Sequence, residues 1–135
     1  MKNEKLVRNH DVMSQDYAMI DGLQTVAEAI EHAVKNKVNV LFVNKRHDDD
    51  EYGMVLMSDI AKKVLAQDRS PERVNVYEIM VKPVLCVPGS MDVRYSARLF
   101  DRFGITKAPV VEEGRIAGLV SYHEIVLKGM INKTS

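Results

Sequence analysis

The chain of 135 residues has no tryptophan, one cysteine, four prolines and three phenylalanines. Because Cys86 is alone, an internal disulfide is excluded, and a reducing cytoplasm is the expected compartment. Nineteen basic and nineteen acidic residues cancel, so no net charge attracts nucleic acid or an anionic membrane. No apolar run approaches the roughly 20 residues that span a bilayer, and the first residues lack a signal-peptide core. These absences favour a small globular cytoplasmic protein.

Recognisable catalytic and metal-binding motifs are also missing from the sequence. There is no serine or cysteine elbow beside a base, no phosphate-binding glycine loop and no paired zinc ligands. The acidic run 48–51 lacks the alternating ligands of a calcium loop, and His10, His32 and His47 lack metal-ligand spacing. We therefore expect a protein that is not an enzyme and that requires no cofactor or metal.

The chain contains one pattern of residues twice, at a shift of 67 residues from position 12 to position 79. Val12-Met13 aligns with Ile79-Met80, and after a loop shortened by two residues Asp59 aligns with Glu124. A duplicated unit of this length usually forms two structural copies around a pseudo-twofold axis, and the clefts between copies are natural ligand sites. The predicted organisation is repeat 1 over 10–66, a linker over 67–76 and repeat 2 over 77–131.

Repeat 1 reads as strand, helix, strand, strand, helix. Three apolar stretches predict strands over residues 17–20, 40–43 and 54–57. Thr25 with Glu28 three residues on forms a predicted capping box for the first helix, and Ser58 is the predicted cap of the last helix. The first helix has a predicted apolar stripe of Val26, Ala29, Ile30, Ala33 and Val34.

Repeat 2 has the same order of elements. The predicted strands cover residues 84–87, with Cys86 buried, 109–111 and 116–120. Asp92 is the predicted cap of a helix whose apolar stripe is Val93, Ala97, Phe100 and Phe103. Ser121 or His123 starts the last predicted helix, which carries Ile125, Val126 and Met130. Both repeats are thus predicted to be small α/β units.

This order and three segments of sequence resemble the cystathionine β-synthase (CBS) domain. Gly104–Val111 is similar to its central motif, and Gly118–Ile125 and Gly53–Ile60 are similar to its closing signature: glycine, two aliphatics, serine or threonine, two residues, an acid and an aliphatic. The resemblance covers about residues 10–130. It implies an α/β (α+β) tandem CBS pair, packed sheet to sheet around a pseudo-twofold axis. It also implies a regulatory module that binds AMP, ADP, ATP or S-adenosylmethionine between repeats and signals to a partner protein.

An adenosine ligand needs a carboxylate for the ribose hydroxyls, an apolar slot for the base, and donors or cations for the phosphates. Asp59, at a strand-to-helix junction, is the candidate ribose acceptor, with Met54 and Leu56 as candidates for the base slot. Resemblance to the AMP-activated protein kinase gamma subunit implies phosphate contacts from repeat 2 by Thr106, Lys107 and His123. Asn39 matches a further phosphate position, which is usually basic in that subunit.

A related site is expected around Glu124. Its candidate neighbours are Leu119, Ser121 and Tyr122, with Asn39, Val40 and Ser58 opposite. Glutamate is one methylene longer than the usual aspartate, whereas repeat 1 has Leu56 in place of the usual serine or threonine and Phe42 in place of the usual proline. We rank the Asp59 site first because its acid has the usual length and the opposing edge is cationic.

Each functional interpretation has a structural alternative. Asp59 and Glu124 are also typical helix-start acids favoured by the helix dipole, Lys107 is also typical of a surface lysine, and His123 of a solvated helix histidine. Members of the resembled family usually form homodimers through their helices, so the candidate dimer surfaces are two sets of helix residues: Val26, Ala29, Ile30 and Ala33, and Val93, Ala97 and Phe100. The alternative function is a ligand-free dimerisation or scaffold domain, and a small enzyme is a third that a turnover assay would have to reveal.

Overall fold

The computed structural model describes residues 6–131, and the chain divides into two compact units. The central unit is Asp16–Val84. The terminal unit joins Met1–Gln15 to Leu85–Ser135, of which residues 6–15 and 85–131 are described. The terminal unit begins with the four-residue helix α1 (Asn9–Val12). The units therefore divide the chain differently from the sequence repeats. The segment before the first strand of each repeat, residues 6–15 for repeat 1 and 74–84 for repeat 2, lies in the unit that holds the strands of the other repeat. We call these two stretches the leading segments.

The central unit is a three-stranded sheet with one long helix. Its strands are β1 (Ala18–Ile20), β2 (Val40–Val43) and β3 (Gly53–Leu56), in the order β1-β2-β3. β1 pairs parallel with β2, and β2 pairs antiparallel with β3. Helix α2 (Val26–Asn36) connects β1 to β2. Helix α3 (Met57–Ile60) follows β3 and continues as a π-helical segment over Ala61–Leu65. Short 3₁₀ turns follow at Pro71–Arg73 and Val76–Glu78.

The predicted capping box of α2 is confirmed. The Glu28 N–H donates to Thr25 Oγ1 at 3.1 Å, and the Thr25 N–H donates to Glu28 Oε1 at 2.8 Å. The predicted apolar stripe is too wide, because Ile30 and Val34 are 36% and 73% exposed. At 100° per residue these two positions lie at the edge of the stripe that turns away from the sheet.

The terminal unit repeats this architecture. Its strands are β4 (Val87–Pro88), β5 (Lys107–Glu112) and β6 (Arg115–Ser121), in the order β4-β5-β6, with β4 parallel and β6 antiparallel to β5. Helix α4 (Val93–Phe103) connects β4 to β5. Helix α5 (Tyr122–Glu124) follows β6 and continues as a π-helical segment over Ile125–Met130. The predicted strands 109–111 and 116–120 and the Asp92 cap, whose carboxylate accepts the Arg94 N–H at 2.9 Å, are confirmed.

Several sequence-based expectations for the terminal unit are wrong. The predicted strand 84–87 is reduced to the pair Val87–Pro88, and Cys86 is exposed. Phe103, Val126 and Met130 are exposed. Phe103 is exposed because a helix packed on one sheet buries only a narrow stripe of its residues, which in α4 consists of Val93, Ser96 and Phe100.

The leading segments are exchanged in a symmetric way. Val7 accepts the Val93 N–H at 3.0 Å in the terminal unit, and Val74 accepts the Val26 N–H at 2.8 Å in the central unit. Val7 and Val74 are equivalent positions of the two repeats, 67 residues apart. Each leading segment therefore supplies a carbonyl to the first turn of the long helix of the other repeat, where backbone donors otherwise have no partner.

The same exchange places a methionine against a glycine in each sheet. Ser14 forms a bridge to Leu119, and Val81 forms the equivalent bridge to Met54. A Cβ atom on Gly118 would lie 2.5 Å from Met13 Sδ, and one on Gly53 would lie 3.0 Å from Met80 Sδ. Glycine is required at Gly118 by this close approach.

Each unit has its own hydrophobic core. The central core contains Leu41 and Val55, and it also contains Val74 and Val76, which lie in the linker predicted from the sequence. The terminal core is built around Phe100, Ala108 and Val120. No helix within residues 6–131 combines the length and apolar character needed to cross a membrane.

Candidate functional site

The two predicted acids occupy equivalent strand-to-helix junctions. Junction 1 comprises residues 56–59, where β3 ends at Leu56 and α3 begins at Met57. Junction 2 comprises residues 121–124, where β6 ends at Ser121 and α5 begins at Tyr122. In both junctions the acid is the third residue of the helix, so its carboxylate can turn back toward the end of the strand.

Asp59 closes the first turn of α3 in junction 1. Its Oδ2 accepts the Leu56 N–H at 2.8 Å, and its Oδ1 lies 3.7 Å from Lys63 Nζ. Lys63 Nζ also donates to the Ile79 carbonyl at 2.9 Å, which holds this cation beside the carboxylate. Because two carboxylate oxygens offer about four acceptor positions, Asp59 can cap the helix and still accept hydrogen bonds from a ligand.

The predicted capping role of Ser58 is wrong. Leu56 occupies the cap position, and Ser58 is the exposed second residue of α3. The helix begins two residues earlier than expected because Asp59 supplies the capping acceptor from inside the first turn.

In junction 2 the carboxylate of Glu124 has a different kind of hydrogen-bond donor from that of Asp59. Its Oε1 accepts a short hydrogen bond from Ser121 Oγ, and the residue is 8% exposed. The additional methylene lets the carboxylate reach the side chain of the cap residue. Leu56 has no hydroxyl at the equivalent position, so Asp59 bonds to backbone instead.

The remaining candidates of the terminal unit lie at the same end of its sheet as junction 2. Lys107 is the half-buried first residue of β5 and pairs in register with Ser121. Thr106 is exposed, and its carbonyl accepts the Tyr122 N–H at 3.3 Å. His123 is exposed. The Tyr122 ring packs edge-on against Phe100, with 5.4 Å between ring centroids. The fold therefore gathers Thr106, Lys107 and junction 2 into one local cluster.

The equivalent end of the central sheet carries the other candidates. Val40 pairs in register with Leu56, and the exposed Asn39 comes directly before β2. Met54 is buried in β3, and Leu56 is half-buried. Met54 is thus a core residue, and only Leu56 of the two offers surface beside Asp59.

A cleft of about 450 Å³ lies beside Asn39 and is lined by Asp16, Lys37, Val38 and Asn39. Sequence reasoning did not select Asp16 or Lys37. The signal was present for Lys37, because residues 37–39 align with 104–106 in the motif of repeat 2. Lys37 has a left-handed backbone, with φ of 56°, as Gly104 has with φ of 66°.

A larger cleft of about 920 Å³ lies where β1 and β2 end, and its lining includes Asp21, Asn44, Tyr77 and Lys82. Some of its polar groups are paired: Asn44 Nδ2 donates to Asp21 Oδ1 at 2.9 Å, and Lys82 Nζ lies 2.8 Å from Asp50 Oδ1. The hydrogen bond from Lys82 holds the pKa of Asp50 far below its usual value, with further help from the Arg46 backbone. This cleft is larger than the one beside Asn39. The acids of the junctions recur in both repeats, however, so the junctions remain the candidate sites for an adenosine ligand.

No group of three or more histidine, cysteine, aspartate or glutamate side chains within residues 6–131 is arranged to hold a metal ion. Every buried side-chain nitrogen and oxygen atom in this part of the chain has a hydrogen-bond partner.

The chain has detectable relatives among known proteins. The chain is 30% identical over 89 residues to an uncharacterized protein of Methanopyrus kandleri, a match that covers 65% of this chain and 44% of that protein. The chain thus spans less than half the length of this curated relative.

Among solved structures, a hexameric CBS-CP12 protein from bloom-forming cyanobacteria is 35% identical, with a TM-score of 0.88 over 96% of this chain and 76% of that one. A CBS domain pair in complex with 5′-methylthioadenosine and S-adenosyl-L-methionine is 23% identical, with a TM-score of 0.78 over 97% of this chain and 100% of that one. A CBS domain protein from Pyrobaculum aerophilum complexed with AMP is 19% identical, with a TM-score of 0.79 over 93% and 95% of the two chains. The last two comparisons show the fold alone.

The family model of the CBS domain matches the chain twice, over residues 10–66 and 76–130. These two matches cover most of the 135 residues, and the two three-stranded α/β units agree with the folds of the solved CBS pairs. The chain therefore belongs to the CBS domain family, as a tandem pair.

Proposed function

We propose that the chain is a regulatory module that binds an adenosine-containing ligand and passes its ligand state to a partner protein. The observation that carries this proposal is the repetition of one junction, in which a carboxylate sits in the first turn of a helix directly after a strand. The AMP and S-adenosyl-L-methionine complexes of structurally similar CBS proteins support adenosine as the shared part of the ligand. The proposed binding halves are the repeats 10–66 and 77–131, joined by residues 67–76.

In the proposed site, Asp59 accepts hydrogen bonds from the ribose hydroxyls, and Leu56 contacts the base. Lys107, Thr106 and His123 contribute charge and donors for phosphates, with Ser58 and Asn39 as supporting positions, whereas the buried Met54 is not part of the proposed site. The carboxylate of Asp59 is half-buried and keeps acceptor positions for a ligand. This supports ranking the Asp59 site first. Glu124, with Ser121 and Tyr122, is the proposed second site, where the Ser121 hydroxyl already occupies part of the carboxylate.

The proposal includes a homodimer that works in the cytoplasm without catalysis or a required cofactor. The predicted dimer stripes need correction, because Val26, Ala29, Val93 and Phe100 are buried inside their own units. These four side chains are therefore not available to a dimer surface.

Thermal melting with a ligand panel tests the proposal. Adenosine, AMP, ADP, ATP and S-adenosylmethionine are compared, with GMP as the control for the base. A ligand at 100 times its Kd stabilises the native state by about 2.7 kcal/mol, which raises Tm by several degrees in a domain of this size. Isothermal titration then gives Kd and stoichiometry.

The competing function is a ligand-free scaffold, which Leu56 in place of a hydroxyl residue favours. It predicts no Tm shift and no titration heat with any adenosine compound. A shift with GMP equal to that with AMP would instead show binding through the shared ribose and phosphate, without recognition of adenine.

A further inference from the structure

The larger cleft, where β1 and β2 end, is separate from junction 1, and we call it the β1–β2 cleft. All of its lining residues belong to the central unit, 16–84. Val43 pairs with Gly53 at this end of the sheet, whereas Val40 pairs with Leu56 of junction 1 at the other end. The strand between them spans about 10 Å. The cleft volume of about 920 Å³ falls in the range of small-molecule sites.

Repeat 2 fills the equivalent position with a side chain. Gly22 and Gly89 are equivalent residues, as are Lys45 and Glu112, each pair 67 positions apart. A Cβ atom on Gly89 would lie 2.5 Å from Glu112 Oε1, so the Glu112 side chain lies directly over this glycine. The nearest contact of a Cβ atom on Gly22 is at 3.5 Å, and Lys45 is not among its close neighbours. Repeat 1 therefore leaves open a space that a carboxylate side chain covers in repeat 2.

Charged groups of both signs line the β1–β2 cleft. The acids come from the turn after β1 and the first turn of α2, and they are Asp21 and Glu28. The cations come from the loop after β2 and from the leading segment beside β3, and they are Lys45, Arg46 and Lys82. Asp50 pairs with both Arg46 and Lys82, so three acids balance three cations. The other acids of this loop, Asp48, Asp49 and Glu51, are exposed and do not line the cleft.

The opposite charges in the cleft do not all neutralise one another. Within residues 6–131, Asp21, Glu28 and Lys45 form no ion pair. Lys45 is half-buried, and its Nζ lies 5.0 Å from the centre of the Tyr52 ring. In this part of the chain, each of the two acids accepts hydrogen bonds at one carboxylate oxygen. Because a carboxylate offers about four acceptor positions, both acids can bind a further donor.

Apolar side chains line the same cleft. Tyr77 and Leu23 are 52% and 77% exposed, and Val43 and Met80 also contribute to the lining. A tyrosine ring offers a large and rigid apolar surface. The cleft thus combines apolar surface with unpaired charges of both signs.

We propose that the β1–β2 cleft binds a zwitterion with an apolar body, of the chemical class of an apolar amino acid or a dipeptide. Lys45 and Arg46 bind its carboxylate, Asp21 and Glu28 bind its ammonium group, and Tyr77 contacts its apolar body. A zwitterion matches a cleft without net charge, since a ligand with net charge leaves groups of one sign unmatched. Both ends gain charge-assisted hydrogen bonds, which are roughly twice as strong as neutral ones. The inference does not rest on the adenosine ligand.

Nuclear magnetic resonance titration of the isotopically labelled chain locates the site. The probes are L-phenylalanine and glycyl-L-phenylalanine, each added up to about 10 mM, and we expect a Kd of about 1 mM or below for the tighter one. The amide resonances of Gly22, Lys45 and Tyr77 should shift and saturate, whereas those of Asn39 and Asp59 should not. The tighter probe shows whether the site takes an amino acid or a dipeptide.

Blocked probes and single variants assign the two charged ends. Acetylation of the tighter probe removes its ammonium group, and amidation removes its carboxylate, so each blocked form should bind about tenfold more weakly. Lys45→Ala should weaken the unblocked probe about tenfold and leave the amidated form within about twofold of its wild-type affinity. Asp21→Asn, whose amide oxygen can still accept from Asn44, should weaken the unblocked probe and spare the acetylated form.

Lys62→Ala is the matched control, at an exposed position of the central unit outside the cleft, and it should bind the probes as the wild type does. Circular dichroism verifies the fold of each variant. No saturable shift with either probe, shifts centred on Asn39 and Asp59, equal binding of blocked and unblocked forms, or wild-type affinity in Lys45→Ala would each overturn the proposal. Titration with AMP reports the adenosine function at Asp59, so the two proposals can fail independently.

Discussion

Junctions 1 and 2 carry an acid at the same helical position, but the two carboxylates accept hydrogen bonds from different kinds of donor. Asp59 accepts a backbone N–H from Leu56, whereas Glu124 accepts the side-chain hydroxyl of Ser121. Two differences between the repeats account for this: a methylene in the acid and a hydroxyl in the residue that ends the strand. The two repeats therefore share the position of the carboxylate along the helix and differ in the donor that it binds.

The difference has a consequence for ligand binding. Asp59 is half-buried and Glu124 is buried, and the hydroxyl bond of Glu124 competes with any external donor. Each carboxylate already accepts one hydrogen bond, and the greater exposure of Asp59 leaves its remaining acceptor positions more accessible to a ligand. We therefore expect the two repeats to contribute unequally to a ligand site.

Removing each acid should produce the largest contrast. We expect Asp59→Ala to weaken adenosine-ligand binding roughly ten- to hundredfold, which corresponds to about 1.5–3 kcal/mol for a charged acceptor of two hydroxyl bonds. Glu124→Ala should weaken it less. Titration calorimetry with adenosine, AMP and ATP measures both. Asp59→Asn is the control, since its amide oxygen can still accept the Leu56 N–H; wild-type affinity in Asp59→Ala would leave Asp59 with its capping role only.

The glycine contacts provide a stability contrast between the units. Gly118→Ala places a Cβ 2.5 Å from Met13 Sδ and 2.9 Å from Met13 Cβ, whereas the nearest atom to the equivalent Gly53 Cβ is at 3.0 Å. Overpacking costs about 1–3 kcal/mol, so Gly118→Ala should lie near the upper end of this range and Gly53→Ala near the lower end. Urea unfolding measures both, and combining Gly118→Ala with Met13→Ala should recover part of the loss. Equal losses for the two alanines would contradict the contrast.

The hydroxyl of Ser121 distinguishes junction 2. Ser121→Ala removes a donor from a buried carboxylate, and we expect a loss of about 1–2 kcal/mol in unfolding free energy. Ser58→Ala, at an exposed position of junction 1, is the matched control and should stay within about 0.5 kcal/mol of the wild type. If both alanines unfold at the wild-type urea concentration, the Ser121–Glu124 bond contributes nothing.

Lys107 should have the smallest effect, and one that depends on the ligand. Lys107→Ala should leave the affinity for adenosine nearly unchanged and weaken binding increasingly from AMP to ATP, because its proposed interaction is with phosphate charge alone. Titrations at low and high salt measure this trend, which screening should reduce. A penalty independent of phosphate number would remove Lys107 from the site even if Asp59 keeps its role.

Much of the fold could be predicted from sequence because its signals are local. The Thr25–Glu28 box, the Asp92 cap and the apolar run Val40–Val43 each depend on residues within a few positions of one another. The extent of apolar stripes could not be predicted, as Ile30, Val34 and Phe103 illustrate, because periodicity shows that a helix is amphipathic but not how wide a surface its sheet covers.

The candidate site was accessible from sequence only as far as the repeat motif reaches. The motif located Asp59 and Glu124, but the donor that each carboxylate binds became apparent only from how the differing side chains fold in each first turn. The alignment of residues 37–39 with 104–106 was a signal for Lys37, whereas the place of Asp16 in the cleft becomes apparent only in the folded chain.

By itself, the sequence determined the duplication, the order of elements in each repeat and the family, because register and capping are encoded by neighbouring residues. The tertiary structure decided which sheet each leading segment joins: residues 6–15 pack with the terminal unit, and Val74 and Val76 enter the central core. The physical reason is that both sheets offer nearly the same carbonyl and donor positions to these segments. The choice between them depends on the packing of residues far apart in the chain, such as Met13 on Gly118.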